Sequence, residues 1–208
     1  MPGCIIVAIT VLVFGGLALL YLGVGYWMNR EIDAVTDPEP VKLAVPQATS
    51  EQVESATKKL HQLKLATEEG KMVRVSFSAD DLNALIASEP LLADLKGKAL
   101  VEKIDATGIQ TQVTQQIRNL PFRPQRFLNA TIAFIPVVLK DSVVFEIHAI
   151  QVPGKEVPQG FVEGYSKQDF FKLDSKNPTL EPVLKQLRRS YLENDHIIIE
   201  TGRETDGG

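Results

Sequence analysis

The chain has 208 residues, 22 Lys and Arg against 26 Asp and Glu, and a net charge of −4. A charge so small and so dispersed excludes the basic groove of a nucleic-acid-binding protein. A single cysteine excludes an intrachain disulfide and a cysteine-based metal site.

The first element is apolar. Cys4 to Met28 reads CIIVAITVLVFGGLALLYLGVGYWM, 25 residues without a charge. As a helix it would be roughly 37 Å long, enough to cross a hydrocarbon layer of about 30 Å with some tilt. Tyr26 and Trp27 stand where aromatic rings settle at headgroup level, and Arg30 follows as a polar stop. The rival is a cleavable signal peptide, for which Gly23-Val24-Gly25 offers small residues. The run exceeds the usual h-region of about 7–15 residues, and no Lys or Arg precedes it. Residues 1–29 are therefore read as a transmembrane signal-anchor. Cys4 has no h-region before it, so it is not a lipoprotein cysteine. Its plain reading is a small apolar residue at the membrane edge, with S-palmitoylation as the other. The run carries no ionisable residue to conduct protons or ions, and no G-x-x-x-G pair to dimerise it. Arg30 and Lys42 on one flank lean towards a cytoplasmic domain, by a margin of only two charges.

Residues 30–49, with three prolines and little periodicity, read as a semi-extended linker. Thr49 and Gln52 have capping-box spacing and predict a helix to about Glu69, with Val53, Ala56, Leu60 and Leu63 inward. Lys58, Lys59, Lys64, Glu68 and Glu69 form its solvated face. Met72 to Phe77 alternates as a strand with Val73, Val75 and Phe77 on one face. Ser78 caps the next helix, with Asp80 and Asp81 in its first turn and Leu82, Leu85 and Ile86 inward. Pro90 ends it and opens a short turn that Gly97 closes.

From there the period is two. Ala99–Asp105 and Ile109–Ile117 are strands. In the second, Ile109, Thr111, Val113 and Ile117 point one way and Gln110, Gln112, Thr114 and Gln116 the other, a sheet with one wet face and hence antiparallel pairing. Arg118 to Arg126 is irregular. Phe127–Ile135 and Val143–Val152 form a hairpin through Lys140-Asp141-Ser142, the second strand with Val143, Phe145, Ile147 and Ala149 inward. A short helix follows in Pro158–Phe171, with Phe161, Val162, Tyr165 and Phe170 inward. The stripe Leu180, Val183, Leu184, Leu187 predicts a helix to about Tyr191. Asn194-Asp195 turns into a last strand, His196–Thr201. The fold class is α+β: an N-terminal transmembrane helix, a linker over 30–49, one soluble domain over 50–201 built as a curved antiparallel sheet with helices packed on one face, and a disordered tail over 202–208.

No catalytic pattern survives inspection. His61, His148 and His196 form no metal-binding pair, so neither a metal nor a cofactor is expected. Ser55-Ala56-Thr57-Lys58 matches S-x-x-K without the S-D-N and K-T-G partners such sites need. Gly164-Tyr165-Ser166-Lys167-Gln168 lacks the last glycine of a nucleophile elbow. Asp80 and Asp81 complement a helix dipole rather than form an acid–base pair. Asn129-Ala130-Thr131 is a glycosylation sequon placed mid-strand. Arg118, Arg123 and Arg126, interleaved with Phe122 and Phe127, are either a solvated loop or an edge that touches anionic lipid headgroups.

Phe77 to Ala87, FSADDLNALIA, resembles a motif of bacterial YpmS-like membrane-anchored proteins. In those, a strand runs into a capped helix with an acidic-Leu-Asn-x-Leu-Leu/Ile core, here Asp81, Leu82, Asn83, Leu85 and Ile86. The order of strand Phe127–Ile135, charged turn, strand Val143–Val152, then Pro153-Gly154-Lys155-Glu156-Val157-Pro158 and a helix is similar to theirs. The resemblance covers most of residues 70–200. It implies an extracytoplasmic domain and, through a relation to tubular lipid-binding domains, a curved sheet that holds acyl chains. The helices here are shorter than those of a full tubular module. Two flanking charges weigh less than this pattern, so the domain is expected outside the cytoplasm.

The expected protein is thus a single-pass envelope protein, not an enzyme, whose domain binds a lipid or other hydrophobic ligand. Leu82, Leu85, Ile86, Ile132, Phe134, Phe145 and Ile147 are the groove candidates, each of which is otherwise plain core. The alternative is a structural or assembly protein that recruits a protein partner in the envelope. Asn83, at the strand–helix junction, is expected to tie backbone groups together rather than touch a ligand.

Overall fold

The computed structural model describes residues 30, 32–118, 124–139, 142–166, 173–174 and 181–202. The anchor reading of 1–29, the Lys140-Asp141 turn, Phe170 and residues 203–208 lie outside the described residues. Among the described residues, no helix is long and apolar enough to cross a membrane.

Two capping boxes fix the two longer helices. Helix α1, Ser50–Glu68, begins where the Thr49 hydroxyl accepts from the Gln52 N–H and the Gln52 side chain accepts from the Thr49 N–H. Gly70, at φ +65°, adopts the left-handed conformation that turns the chain out of it. Strand β1, Arg74–Phe77, buries Val75 and Phe77 as its alternation predicts. Helix α2, Ala79–Ser88, repeats the capping box with Ser78 and Asp81 and buries Ala84, Leu85 and Ile86. A 3-10 turn, Pro90–Leu95, leads into the sheet.

Strands β2 (Ala99–Asp105), β3 (Gly108–Arg118), β4 (Arg126–Leu139) and β5 (Ser142–Gln151) form an antiparallel sheet in sequence order. The two-residue strand β6, Leu173–Asp174, extends it at one edge. Helix α3, Gln159–Ser166, follows β5 in the chain. A second antiparallel sheet has the order β1-β8-β7, with β7 at Leu187–Glu193 and β8 at His196–Thr201. The class is α+β with antiparallel sheets. One sheet was expected, and among the described residues there are two, because β1 pairs with β8 at the far end of the chain.

The helix expected over Leu180–Tyr191 is the main correction. Only Glu181–Gln186 is helical (α4), and Leu187–Glu193 is strand β7. Asn194 and Asp195 both have positive φ, 47° and 61°, the geometry of a two-residue hairpin turn. That turn lays Tyr191 against Ile198 and Leu192 against Ile197, and cross-strand burial outweighs the helical spacing. Gly202, expected to open the tail, is buried and donates to the Gln186 carbonyl at 3.0 Å.

Each ladder of the first four strands contains one register shift. In β4–β5, Ala133 faces Ala149 and Phe134 faces Ile147, so His148 is an extra residue. The bulge reverses the strand's parity, and Ile150 and Val152 are buried where alternation alone favoured Ala149. Thr114, assigned to the wet face, is buried for a different reason that lies in the segment before α1.

Across the main sheet, Val101, Thr111, Ile132 and Ile150 stand in one row and define its apolar face. One core cluster joins that face to Ala56 and Leu63 of α1, α2, β1 and Ile197 of β8. A second joins Leu128, Ala130 and Ile132 of β4 and Ile150 of β5 to Phe161 and Val162 of α3, with Phe134 packed against both clusters. The opposite face carries the row Gln112, Thr131, Gln151, where Glu102 accepts from Gln112 at 2.7 Å. The Thr111 hydroxyl sits within the apolar row without a hydrogen-bond partner. Thr111→Val keeps the shape and removes a buried polar group, so it should raise stability by about 1 kcal/mol in urea unfolding.

Asn83 does what its position suggested. Its Nδ2 donates to the Val101 carbonyl at 2.8 Å and its Oδ1 accepts from the Val101 N–H at 2.9 Å. One side-chain amide thus stands in for a neighbouring strand at the edge of β2, and a side chain that occupies the edge also blocks a foreign strand. Asn83→Ala should destabilise the domain by about 1–3 kcal/mol. A variant with unchanged melting would contradict that role.

Candidate functional site

Among the described residues, the seven groove candidates are divided between two core clusters and the β4–β5 pair. Leu85 and Ile86 are buried in the first cluster, with Leu82 packed against it half-buried. Ile132 is 1% exposed within the second cluster. Phe134, Phe145 and Ile147 are half-buried, the two rings meeting edge-to-face at 5.3 Å. Two shallow open depressions lie on the outer side of α1, lined by Ala48, Val53, Thr57 and His61 and by His61, Leu65, Met72 and Val73. None of the seven borders either one.

Of the three arginines proposed to touch headgroups, Arg123 and the side chain of Arg118 lie outside the described residues. Arg126 is turned onto the chain itself. Its Nε donates to the Thr36 hydroxyl at 3.0 Å, and its Nη2 donates to the carbonyls of Thr36 at 2.6 Å and Asp33 at 2.7 Å. The Asp33 carboxylate lies 3.3 Å from its Nε. Only 16% of the side chain is exposed. A guanidinium with its fork so occupied has little left to offer a lipid phosphate.

Its partners belong to the segment read as a linker. Val35 and Thr36 are buried, and residues 32–41 pack along the start of β4 as a strap. Asp37 exchanges two backbone hydrogen bonds with Phe127, at 2.9 and 2.8 Å. Strand β5 ends opposite Thr131, and β3 holds the other side of Phe127 through Gln116. Asp37 therefore fills the ladder position that β5 leaves vacant.

Asn129 is the hub of the clasp. Its Nδ2 donates to the Asp37 carboxylate and the Glu39 carbonyl, both at 3.0 Å. Its Oδ1 accepts from the Val41 N–H at 3.0 Å and the Thr114 hydroxyl at 2.8 Å. Thr114 is thereby roofed by the strap, which accounts for its burial on the wet face. All four hydrogen-bonding positions of the amide are filled, and the residue is 7% exposed. That burial leaves no room for a glycan on the sequon in the folded chain. The turn Pro153-Gly154, with Gly154 at φ +68°, brings Lys155 round to the same place. Its Nζ donates to the Thr36 carbonyl at 2.8 Å and to Asp37 at 2.6 Å.

The ammonium of Lys155 holds the Asp37 carboxyl below its ordinary range, against the opposing effect of burial and with help from Asn129. A folded-state pKa below the unfolded one contributes stability above the unfolded value, about 3.9, and loses it as pH falls through the folded value. The strap should therefore stay closed from pH 7 to about 5 and loosen below about 4. Hydrogen exchange at the Val41 and Asp37 amides would report this, and Asp37→Asn should remove the acid response.

A second charged contact was missed. Lys59, assigned to the solvated face of α1, donates to Asp81 at 2.6 Å and ties α1 to α2. Burial would raise the Asp81 pKa, but hydrogen bonds from Lys59 and Ser78 outweigh it and the net shift is down. Ser55 and Lys58 are exposed on α1, and His61 and His148 are exposed as well. Among the described residues, no group of three or more His, Cys, Asp or Glu is placed to hold a metal ion. The sequence did carry one sign of the strap. Asn129 interrupts the apolar strand FLNATIAFI, and an amide buried in such a strand needs partners from elsewhere.

Comparison of the chain with family models, with curated proteins and with solved structures finds no match.

Proposed function

We propose that the chain is a single-pass, membrane-anchored envelope protein without catalytic chemistry, whose domain recruits a protein partner close to the bilayer. The clasp carries this reading. A ligand-binding domain needs only a tether, whereas here Arg126, Asn129 and Lys155 fasten the segment that follows the apolar run to the body of the sheet. Such an attachment suits a protein that must present a surface in a set orientation. The resemblance of Phe77–Ala87 to YpmS-like proteins agrees with an anchored, extracytoplasmic domain. The bulges in the main sheet bend its strands, which supports a curved sheet with α2 and α3 against its apolar side. The test is photo-cross-linking of the full chain in native membranes, with the probe on the exposed face of β4 or β5. One specific protein adduct is expected, and the absence of any would remove the reading.

Binding of an acyl chain remains the second reading. It is favoured by Phe134, Phe145 and Ile147, which stay half-buried beside a filled core. Native mass spectrometry of the full chain, released from nanodiscs, decides between the two. A discrete lipid adduct on the protein favours this second reading, and a bare protein mass favours the first.

A further inference from the structure

We propose that the strap makes the membrane contact surface a defined one: the end of the main sheet formed by residues 33–37, 124–127 and 153–155 faces the lipid bilayer, and the β4–β5 hairpin stands away from it. This rests on the reading of Cys4–Met28 as an anchor. Thr36 stands eight positions after Met28, and it is 1% exposed in the clasp. Eight residues span about 12 Å as helix and at most about 26 Å extended. Residues 32–35 are helical, and the Thr36 hydroxyl donates back to the Ile32 carbonyl, so this part of the connection is compact. Chain length alone therefore bounds the end of the apolar run to within about 26 Å of Thr36, which is clasped to the start of β4. From Phe127 opposite Asp37, β4 runs twelve residues to Leu139, about 40 Å at 3.3 Å per residue. With the start of β4 at the bilayer, Leu139, half-exposed at the other end of the hairpin, is carried out of reach of the headgroups. A free tether over residues 30–48 would give a different picture. Its root-mean-square reach is about 25 Å in any direction, so both ends of the sheet would visit the bilayer.

The full chain carrying Cys4→Ser is reconstituted into vesicles of phosphatidylcholine and phosphatidylglycerol, with a fluorophore on Gln125→Cys or Leu139→Cys and a quencher on the lipid headgroups. Strong quenching at 125 and its loss at 139 are expected. In an Asn129→Ala background, and separately in Lys155→Met, the difference between the two positions should shrink towards zero. Equal quenching at both positions in the otherwise native chain overturns the proposal. So does a difference that persists when circular dichroism shows both variants folded, since the strap would then not set the orientation. A chain that fails to float with the vesicles overturns the anchor reading itself, and a chain that floats with equal quenching overturns only the orientation.

Discussion

Asn129→Ala is expected to lower the stability of the domain by about 3 kcal/mol. The amide satisfies four separate groups: the Val41 N–H, the Glu39 carbonyl, the Asp37 carboxylate and the Thr114 hydroxyl. Alanine reproduces none of them. The strap groups can recover water only by peeling from the sheet, and peeling exposes Val35 and Thr36, both now buried. Two readouts should therefore move together. The urea midpoint falls, and limited proteolysis between residues 37 and 48 begins before the core is cut. Thr131→Ala, two residues along the same strand and half-exposed, should stay within about 0.5 kcal/mol of the parent. A variant at 129 with the parent's midpoint and cleavage rate would show that the clasp holds nothing.

Ile132→Ala should cost about 3 kcal/mol, within the range of about 2–5 for truncating a buried aliphatic side chain. Ile132 is 1% exposed, and its row neighbours Thr111 and Ile150 are themselves buried, so the site has few ways to collapse. The same substitution separates core from groove. If Ile132 lined a ligand site, its truncation would deplete bound lipid while leaving the unfolding midpoint of the lipid-free protein within about 0.5 kcal/mol. A core position gives the opposite, a large fall in stability and no change in any co-purifying lipid. Phe145→Ala is the informative contrast, because that ring is half-buried and packs edge-on against Phe134.

What the sequence shows of this fold follows the range of the interactions involved. Both capping boxes are legible, since Thr49 with Gln52 and Ser78 with Asp81 act within three residues. The alternation of β1 to β4 is legible because one face meets water. It fails at His148, where a bulge reverses parity without any composition signal. It fails again at Leu187–Glu193, whose apolar spacing fits a helix until β8 offers a partner. Pairing of β1 with β8 and the seating of the strap are non-local and leave little trace in either segment. The prolines at 38, 40 and 46 read correctly as a stretch without regular structure. They say nothing of the arginine, asparagine and lysine that grip it from 85 or more residues away. Of the candidate site, the sequence shows Asn129 as an amide within an apolar strand, and Arg126 as a charge read outward, to solvent or lipid, rather than inward to Asp33 and Thr36.

The pairing of β1 with β8 also has a consequence in time. Phe77 lies opposite Ile197, and Thr201 accepts from the Val73 N–H across 128 positions of chain. Ile197 belongs to the same apolar cluster as Ala56, Leu63 and Phe77. At a synthesis rate of about 5–20 residues per second, roughly 6–25 s pass between the emergence of β1 and that of its partner. Throughout that interval, β1 presents an unpaired edge and Val75 and Phe77 lack the cover that β8 supplies. The nascent chain must therefore be shielded by its own helices or by a holdase until β8 arrives, and truncation before residue 197 leaves a species prone to aggregate rather than a smaller stable domain.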